Sequence, residues 1–204
     1  VTKITDNHYR KGQKPGDNKM SEKNKMLDNN ETYQLIDKNE TYQLLDKKGT
    51  YQFLDECDIV YECYEHGAAF TIEEMDSLNL PHKELVVKNL FLRDDKKKNF
   101  YLVTLPGYKS ADLKRLSEQI PSRKLSFASE DDLSKHLMLG KGHVTPIGVL
   151  NNAEKNVTVV FDRNLQEQRI GIHPMENTAT IFLKFEDVKK LIEHHGNPIV
   201  LCDM

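Results

Sequence analysis

Two apolar runs, ELVVKNLFLRD at 84–94 and NFYLVTLPG at 99–107, meet at the charged turn DDKKKN. Each reads as a strand, and the turn between them makes a hairpin. Lys88 stands inside the first run. In a period-two strand it shares a face with Val86, Leu90 and Leu92, while Asn89 shares the other with Val87 and Phe91. An unpaired buried ammonium is costly, so Lys88 must meet a carboxylate, reach water, or wait at a pocket for an anionic ligand. On pattern alone the simpler explanation is an edge-strand lysine that discourages aggregation.

The hairpin sits in a chain that mixes strands with helices. TYQFLDECDIVYECYEH predicts a helix and then a strand near 59–64, and Thr71 with Glu74 forms a capping box for a short helix in TIEEMDSLNL. SADLKRLSEQI predicts a helix behind Ser110, and SEDDLSKHLMLG another behind Ser129 with Asp132 three positions on and Gly140 as the stop. HVTPIGVL, VTVVFD and TATIFLKF read as strands, EDVKKLIEHHG as the last helix, and PIVLCDM as a closing strand. Hairpin-paired strands mixed with helices predict an α/β fold. It would be a single compact domain with a mixed, mainly antiparallel sheet flanked by helices, rather than a doubly wound parallel one. A length of 204 residues with 38% hydrophobic side chains suffices for one core.

Upstream, residues 1–28 are polar and charged and predict a disordered tail. A nine-residue unit follows three times, as NETYQLIDK, NETYQLLDK and KGTYQFLDE. Nine residues turn a helix through about two and a half turns, so Tyr33, Tyr42 and Tyr51 would fall on alternating faces. That builds neither a coiled coil nor a solenoid. Residues 29–49 are therefore expected to be a duplicated helical segment, its last copy joined to a domain at 50–204.

The formal net charge of −3, with 30% charged residues, argues neither for nor against nucleic acid. No apolar run is long enough to span a bilayer and the N-terminus lacks a secretory core, so a soluble, cytoplasmic protein with no membrane partner is expected. Cys57, Cys63 and Cys202 have neither disulfide nor zinc spacing, and no P-loop, GxGxxG, GxSxG or HExxH pattern occurs. Three stretches remain as candidates for chemistry. They are Lys88–Asn89, the loop LGKGHVTPIG with Gly140, Gly142, His143, Pro146 and Gly148, and GIHPMENTAT with His173, Pro174 and Asn177. Glycines admit close approach of backbone amides to a ligand, and Pro146 stiffens the loop that presents them. Each stretch taken alone is equally a turn or a structural histidine. His194 and His195 suit the negative end of a helix, and Lys96–Lys98 with Lys109, Lys114, Arg115, Arg123, Lys124 and Lys141 are either solvated side chains or a phosphate-tracking surface.

Taken in order, EHGAAFTIEEM, VVKNLFLRD, FYLVTLPG, LSFASEDDL, LGKGHVTPIGVLNN, GIHPMENTATIFL and the closing EDVKKLIEHHGNPIVLCDM resemble the YbaK/ProX aminoacyl-tRNA deacylases, relatives of the editing domain of bacterial prolyl-tRNA synthetases. The resemblance spans about 50–204, and KNLFLRD is more like the ProX branch, which removes alanine from proline tRNA. Lys88 falls on the family's strand lysine with Asn89 beside it, Gly142 and Pro146 on its GxxxP loop, and His173–Pro174 on its His-Pro element. Met175 and Glu176 depart from the family pattern.

The resemblance implies a trans-editing hydrolase acting on mischarged tRNA(Pro), without metal or cofactor. Lys88 and Gly142 would be catalytic, with Asn89, His143, Pro146, His173 and Asn177 binding substrate. Amides near Gly142 would hold the oxyanion, Lys88 would anchor the terminal phosphate while facing the Gly142–Pro146 loop, and a ribose hydroxyl would help activate water. Such an enzyme is a second sieve, clearing a small amino acid that a proline pocket cannot strongly reject. Ala-tRNA(Pro) is the implied substrate, with prolyl-tRNA synthetase as a second partner and no DNA. Hydrolysis of Cys-tRNA(Pro), or binding of aminoacylated 3′ ends or amino acids without turnover, are the alternatives.

Overall fold

The computed structural model describes residues 9–10, 44–69, 74, 78 and 80–204. In chain order the elements are β1 (Tyr9–Arg10), α1 (Lys47–Glu56), β2 (Glu62–Glu65), β3 (Val87–Asp94), β4 (Phe100–Pro106), α2 (Leu113–Gln119), β5 (Leu125–Phe127), α3 (Glu130–Leu137), β6 (Val157–Asp162), β7 (Arg169–Ile172), β8 (Ala179–Lys184), α4 (Phe185–His195) and β9 (Ile199–Cys202). Most of the tail, the repeat up to residue 43, and Thr71 of the expected capping box lie outside the described residues.

The expected hairpin forms. Strands β3 and β4 pair antiparallel from Val87↔Pro106 to Arg93↔Phe100, placing Lys88 opposite Leu105 and Asn89 opposite Thr104. Asp94 closes its turn by accepting from the Lys98 amide at 2.9 Å and the Asn99 side chain at 2.6 Å. This pair is the centre of a five-stranded sheet in the order β5-β3-β4-β6-β9, antiparallel as far as β4 and parallel beyond it.

A second, antiparallel sheet runs β1-β2-β8-β7, and the bridge Val86↔Gly171 joins the two. The α/β class with mixed sheets flanked by helices is thus as expected. Its division into two sheets was not, since alternation assigns faces to a strand and not partners. The bridge needs a glycine: a Cβ on Gly171 would sit 2.6 Å from the Phe182 ring.

Strand β4 is buried along its whole length, so a hydrophobic layer covers each face of the sheet. On one face Phe91, Phe100, Leu102 and Phe161 pack with Phe185, Val188 and Leu191 of α4 and with Ile170 and Ile181 of the second sheet. On the other, Leu92, Tyr101, Val103, Leu105 and Val160 pack with Leu116 of α2 and with Ile120, its C-cap.

Three local expectations are corrected. HVTPIGVL is not a strand; Pro146–Asn151 form a 3₁₀ turn, as fits a proline that cannot donate to a ladder and a Gly148 that donates to Thr145 O at 2.9 Å. Asp112, not Ser110, caps α2 by accepting from the Lys114 and Arg115 amides. The Ser129–Asp132 capping box forms, but α3 ends at Met138, in the left-handed region, before Gly140. Strands β5 and β7 are three and four residues long, too short to show a period in the sequence.

The third repeat copy forms α1, with Asp46 as N-cap accepting from the Gly49 amide at 2.6 Å. Lys47 donates to Glu65 at 2.5 Å and Thr178 at 2.9 Å, Asn151 pairs with both backbone groups of Leu45, and Leu54 is buried. Among the described residues no helix is long and apolar enough to cross a membrane. Because Leu54 fills the core from α1, Leu54→Ala is expected to cost about 2–5 kcal/mol in urea unfolding at an unchanged m-value. A loss below about 0.5 kcal/mol would show that α1 does not pack as described.

Candidate functional site

From the Val86↔Gly171 bridge the two chains leave in parallel, one toward Lys88–Asn89 and the other toward His173–Pro174. The glycine loop reaches the same place from the far side of the core. Buried Thr145 donates its hydroxyl to the His173 carbonyl at 2.8 Å, tying the Gly142–Pro146 segment to the His-Pro segment. Gly142 itself has φ +81°, a backbone shape that favours glycine. His143 follows it, half-buried, its amide bonded to Gly140 O, and Pro146 is buried at the start of the 3₁₀ turn.

Asn89 lies on the face of Val87 and Phe91, as alternation predicts. Its Oδ1 accepts from the buried Thr104 hydroxyl at 2.8 Å, which fixes the carboxamide and directs its N–H groups outward from that bond. Asn177 is buried and donates to Ala69 O at 3.3 Å, joining the β7–β8 connection to the segment after β2. Met175, between His173 and Asn177, is buried and holds φ +66°. That is an unusual conformation for a non-glycine residue.

His173 is the titratable group at the centre. Nδ1 lies 3.3 Å from Ala179 O; a carbonyl can only accept, so Nδ1 carries the proton and Nε2 is left as an acceptor. Burial pushes its pKa below the ordinary 6.5, the Ala179 bond opposes this, and neighbouring His66 and His143 add to the depression. His66, which the sequence did not single out, is held between Gly67 O at 2.8 Å and the Thr180 hydroxyl at 2.9 Å, and burial lowers its pKa as well. Nothing in a lone histidine four residues after β2's first glutamate marks it; only the pairing of β2 with β8 brings it here. Among the described residues no group of three or more His, Cys, Asp or Glu side chains is arranged to hold a metal ion. Burial also raises the Cys57 and Cys202 thiols to about 11, so neither is a thiolate at neutral pH.

Lys88 is placed differently from the expectation. Its side chain is on the opposite face from Asn89, and its ammonium donates to the Lys109 carbonyl at 2.8 Å, not to the Gly142–Pro146 loop. It is half-buried, and this bond uses one of its three N–H groups. The Lys109 ammonium in turn binds buried Asp162 and the Met204 carbonyl, each at 2.7 Å. His195 is also not a solvated helix-end cation. It is buried against Asn197 at 2.6 Å, and burial lowers its pKa.

The family model for the aminoacyl-tRNA editing domain matches residues 66–191. The prolyl-tRNA editing protein ProX of Acetoanaerobium sticklandii is 46% identical over 143 residues, covering 70% of this chain and 87% of that protein. The prolyl-tRNA synthetase associated domain-containing protein 1 of Mus musculus is 37% identical over 150 residues, covering 69% and 86%. Among solved structures, hypothetical protein APE2540 superposes with a TM-score of 0.58 at 17% identity over 76% of this chain and 97% of its own, a likeness of fold.

His66, His173 and His195 all have pKa values depressed by folding. The unfolded chain therefore binds protons that the folded chain resists, and stability present above about pH 6.5 is lost as the pH falls below it. Thermal midpoints should decline below that pH. His173→Asn, whose amide can replace the Nδ1 donor, should decline less steeply, and equal slopes would show that His173 is not held neutral.

Proposed function

The chain belongs to the aminoacyl-tRNA editing domain family, and from that premise we propose that it hydrolyses the ester of mischarged proline tRNA in trans, with Ala-tRNA(Pro) as substrate. The observation that supports this best is the bond from Thr145 to His173 O, which ties the glycine loop to the His-Pro segment; that segment leaves the Val86↔Gly171 bridge in parallel with the strand that carries Asn89. The proposal seats the small ester where these segments approach one another.

In this mechanism water attacks the ester carbonyl carbon, the C–O bond to the ribose breaks, and the ribose oxygen takes up a proton. Backbone amides between His143 and Pro146 stabilise the oxyanion, the His143 amide itself being engaged by Gly140 O; fixed dipoles in a dry pocket need no reorganisation as the charge develops. Neutral His173 presents Nε2 as an acceptor and shapes the pocket, while Asn89, His143, Pro146 and Asn177 hold the amino acid and the sugar. Lys88, on the opposite face of β3 from Asn89 and with two N–H groups beyond its Lys109 bond, meets the phosphate backbone of the strand outside the ester pocket. The adjacent ribose hydroxyl assists the attacking water. Proline is excluded by the size of the pocket, as a second sieve requires.

The test is turnover of alanyl, cysteinyl and prolyl esters on the same proline tRNA. Alanine release with the prolyl ester spared is the expected result. Preferential cysteine release would reassign the substrate, and tight binding of the alanyl ester without release would make the protein a binding module. Gly142→Ala strains a left-handed position, and its displaced amides should lower kcat by about 10²-fold with a smaller change in KM. An unchanged kcat would remove the loop from the oxyanion site.

A further inference from the structure

The turn after β4 is more firmly built than a connection requires. The Gly107 amide donates to Val86 O at 3.1 Å, the Lys109 amide to Pro106 O at 2.9 Å, and Lys88 Nζ to Lys109 O at 2.8 Å. A Cβ on Gly107 would lie 2.6 Å from Val86 O, so the turn is pressed against the start of β3. Lys109 then anchors its far end to Asp162 and Met204 O. The residue displayed at the centre of these bonds is Tyr108, whose side chain is 79% exposed, the largest exposure among the large apolar side chains described.

Holding a flat aromatic ring in water on a braced turn does nothing for the core. It does suit a partner that offers a π-face. The charges nearby point to the kind of partner: Lys88 and Lys109 lie under the turn, and exposed Lys114 and Arg115 open the helix that follows. Two acids lie among them: Asp162 is paired with Lys109, and Asp112 accepts from backbone amides as the α2 cap. Stacking on an exposed tyrosine beside exposed cations such as Lys114 and Arg115 is how proteins hold single-stranded nucleic acid.

We infer that Tyr108 is a stacking platform for a base of the unpaired 3′ end of the tRNA, set on a turn that Lys88 braces. This rests on the proposed deacylase function and adds to it a positioning residue outside the ester pocket. It also gives the Lys88 bond to Lys109 a purpose, since the same ammonium steadies the platform and faces the backbone of the strand lying on it. A base seated on Tyr108 would hold the terminal nucleotide in register with the pocket.

Binding and turnover separate the two proposals. In fluorescence anisotropy with the full chain and an uncharged RNA hairpin ending in single-stranded CCA, Tyr108→Ala should weaken Kd roughly five- to 150-fold. Tyr108→Phe should stay within about twofold of wild type, because the ring and not the hydroxyl carries stacking. A blunt hairpin lacking the single strand should bind wild type and Tyr108→Ala alike. In deacylation, Tyr108→Ala should raise KM and leave kcat at saturation, the mark of binding shared by ground and transition states. Equal binding of the CCA hairpin by wild type and Tyr108→Ala, or no binding by wild type, overturns the inference, and active turnover in that case leaves the deacylase function standing. Tyrosine-dependent binding without turnover supports the platform and removes the deacylase.

Discussion

Strand β4 has no face turned to water, and the rest of the molecule is arranged around that fact. Every residue from Phe100 to Pro106 is buried, so its sheet requires cover on both sides. Helix α2 supplies one cover, and α4 with the second sheet supplies the other. A strand paired with β4 must then send alternate side chains into two different layers. Lys88 and Asn89, adjacent on β3, are divided in this way, one toward the α2 side and one toward the layer of Phe91 and Leu102.

This division gives the site two parts. On the inner side Asn89 is fixed by Thr104, and the glycine loop is fixed to His173 by Thr145, so the pocket is set by hydrogen bonds between buried groups. Such bonds are costly to leave unmade, which keeps the segments together without a bound ligand. On the outer side the Lys88–Lys109–Asp162 chain organises a surface turn. In the proposed function the inner part takes the aminoacyl ester and the outer part the nucleotide strand.

The histidines show how environment decides what a residue is. His173 follows the buried end of β7 and His195 closes a helix whose terminus would favour a charged imidazole. Burial favours the neutral form of both, and Nδ1 of each ring meets an acceptor, Ala179 O or Asn197 Oδ1. At the helix end of α4 burial outweighs the attraction of the dipole for a cation, an interaction worth well under the cost of desolvating the charge.

Local pattern was enough to read the β3–β4 hairpin, the Ser129 capping box, the amphipathic α4 stopped at Gly196, and the opposite faces of Lys88 and Asn89. These depend on periods and on contacts within a few residues, which a sequence displays directly. The ordered motifs likewise announced the family. What the sequence could not display was any choice of partner between distant segments: the separate second sheet, the Val86–Gly171 bridge, His66 beside His173, and the Lys88 ammonium on the Lys109 carbonyl. Period-two alternation states which way a side chain leaves its strand. Only the packing of layers around β4 states what waits for it there.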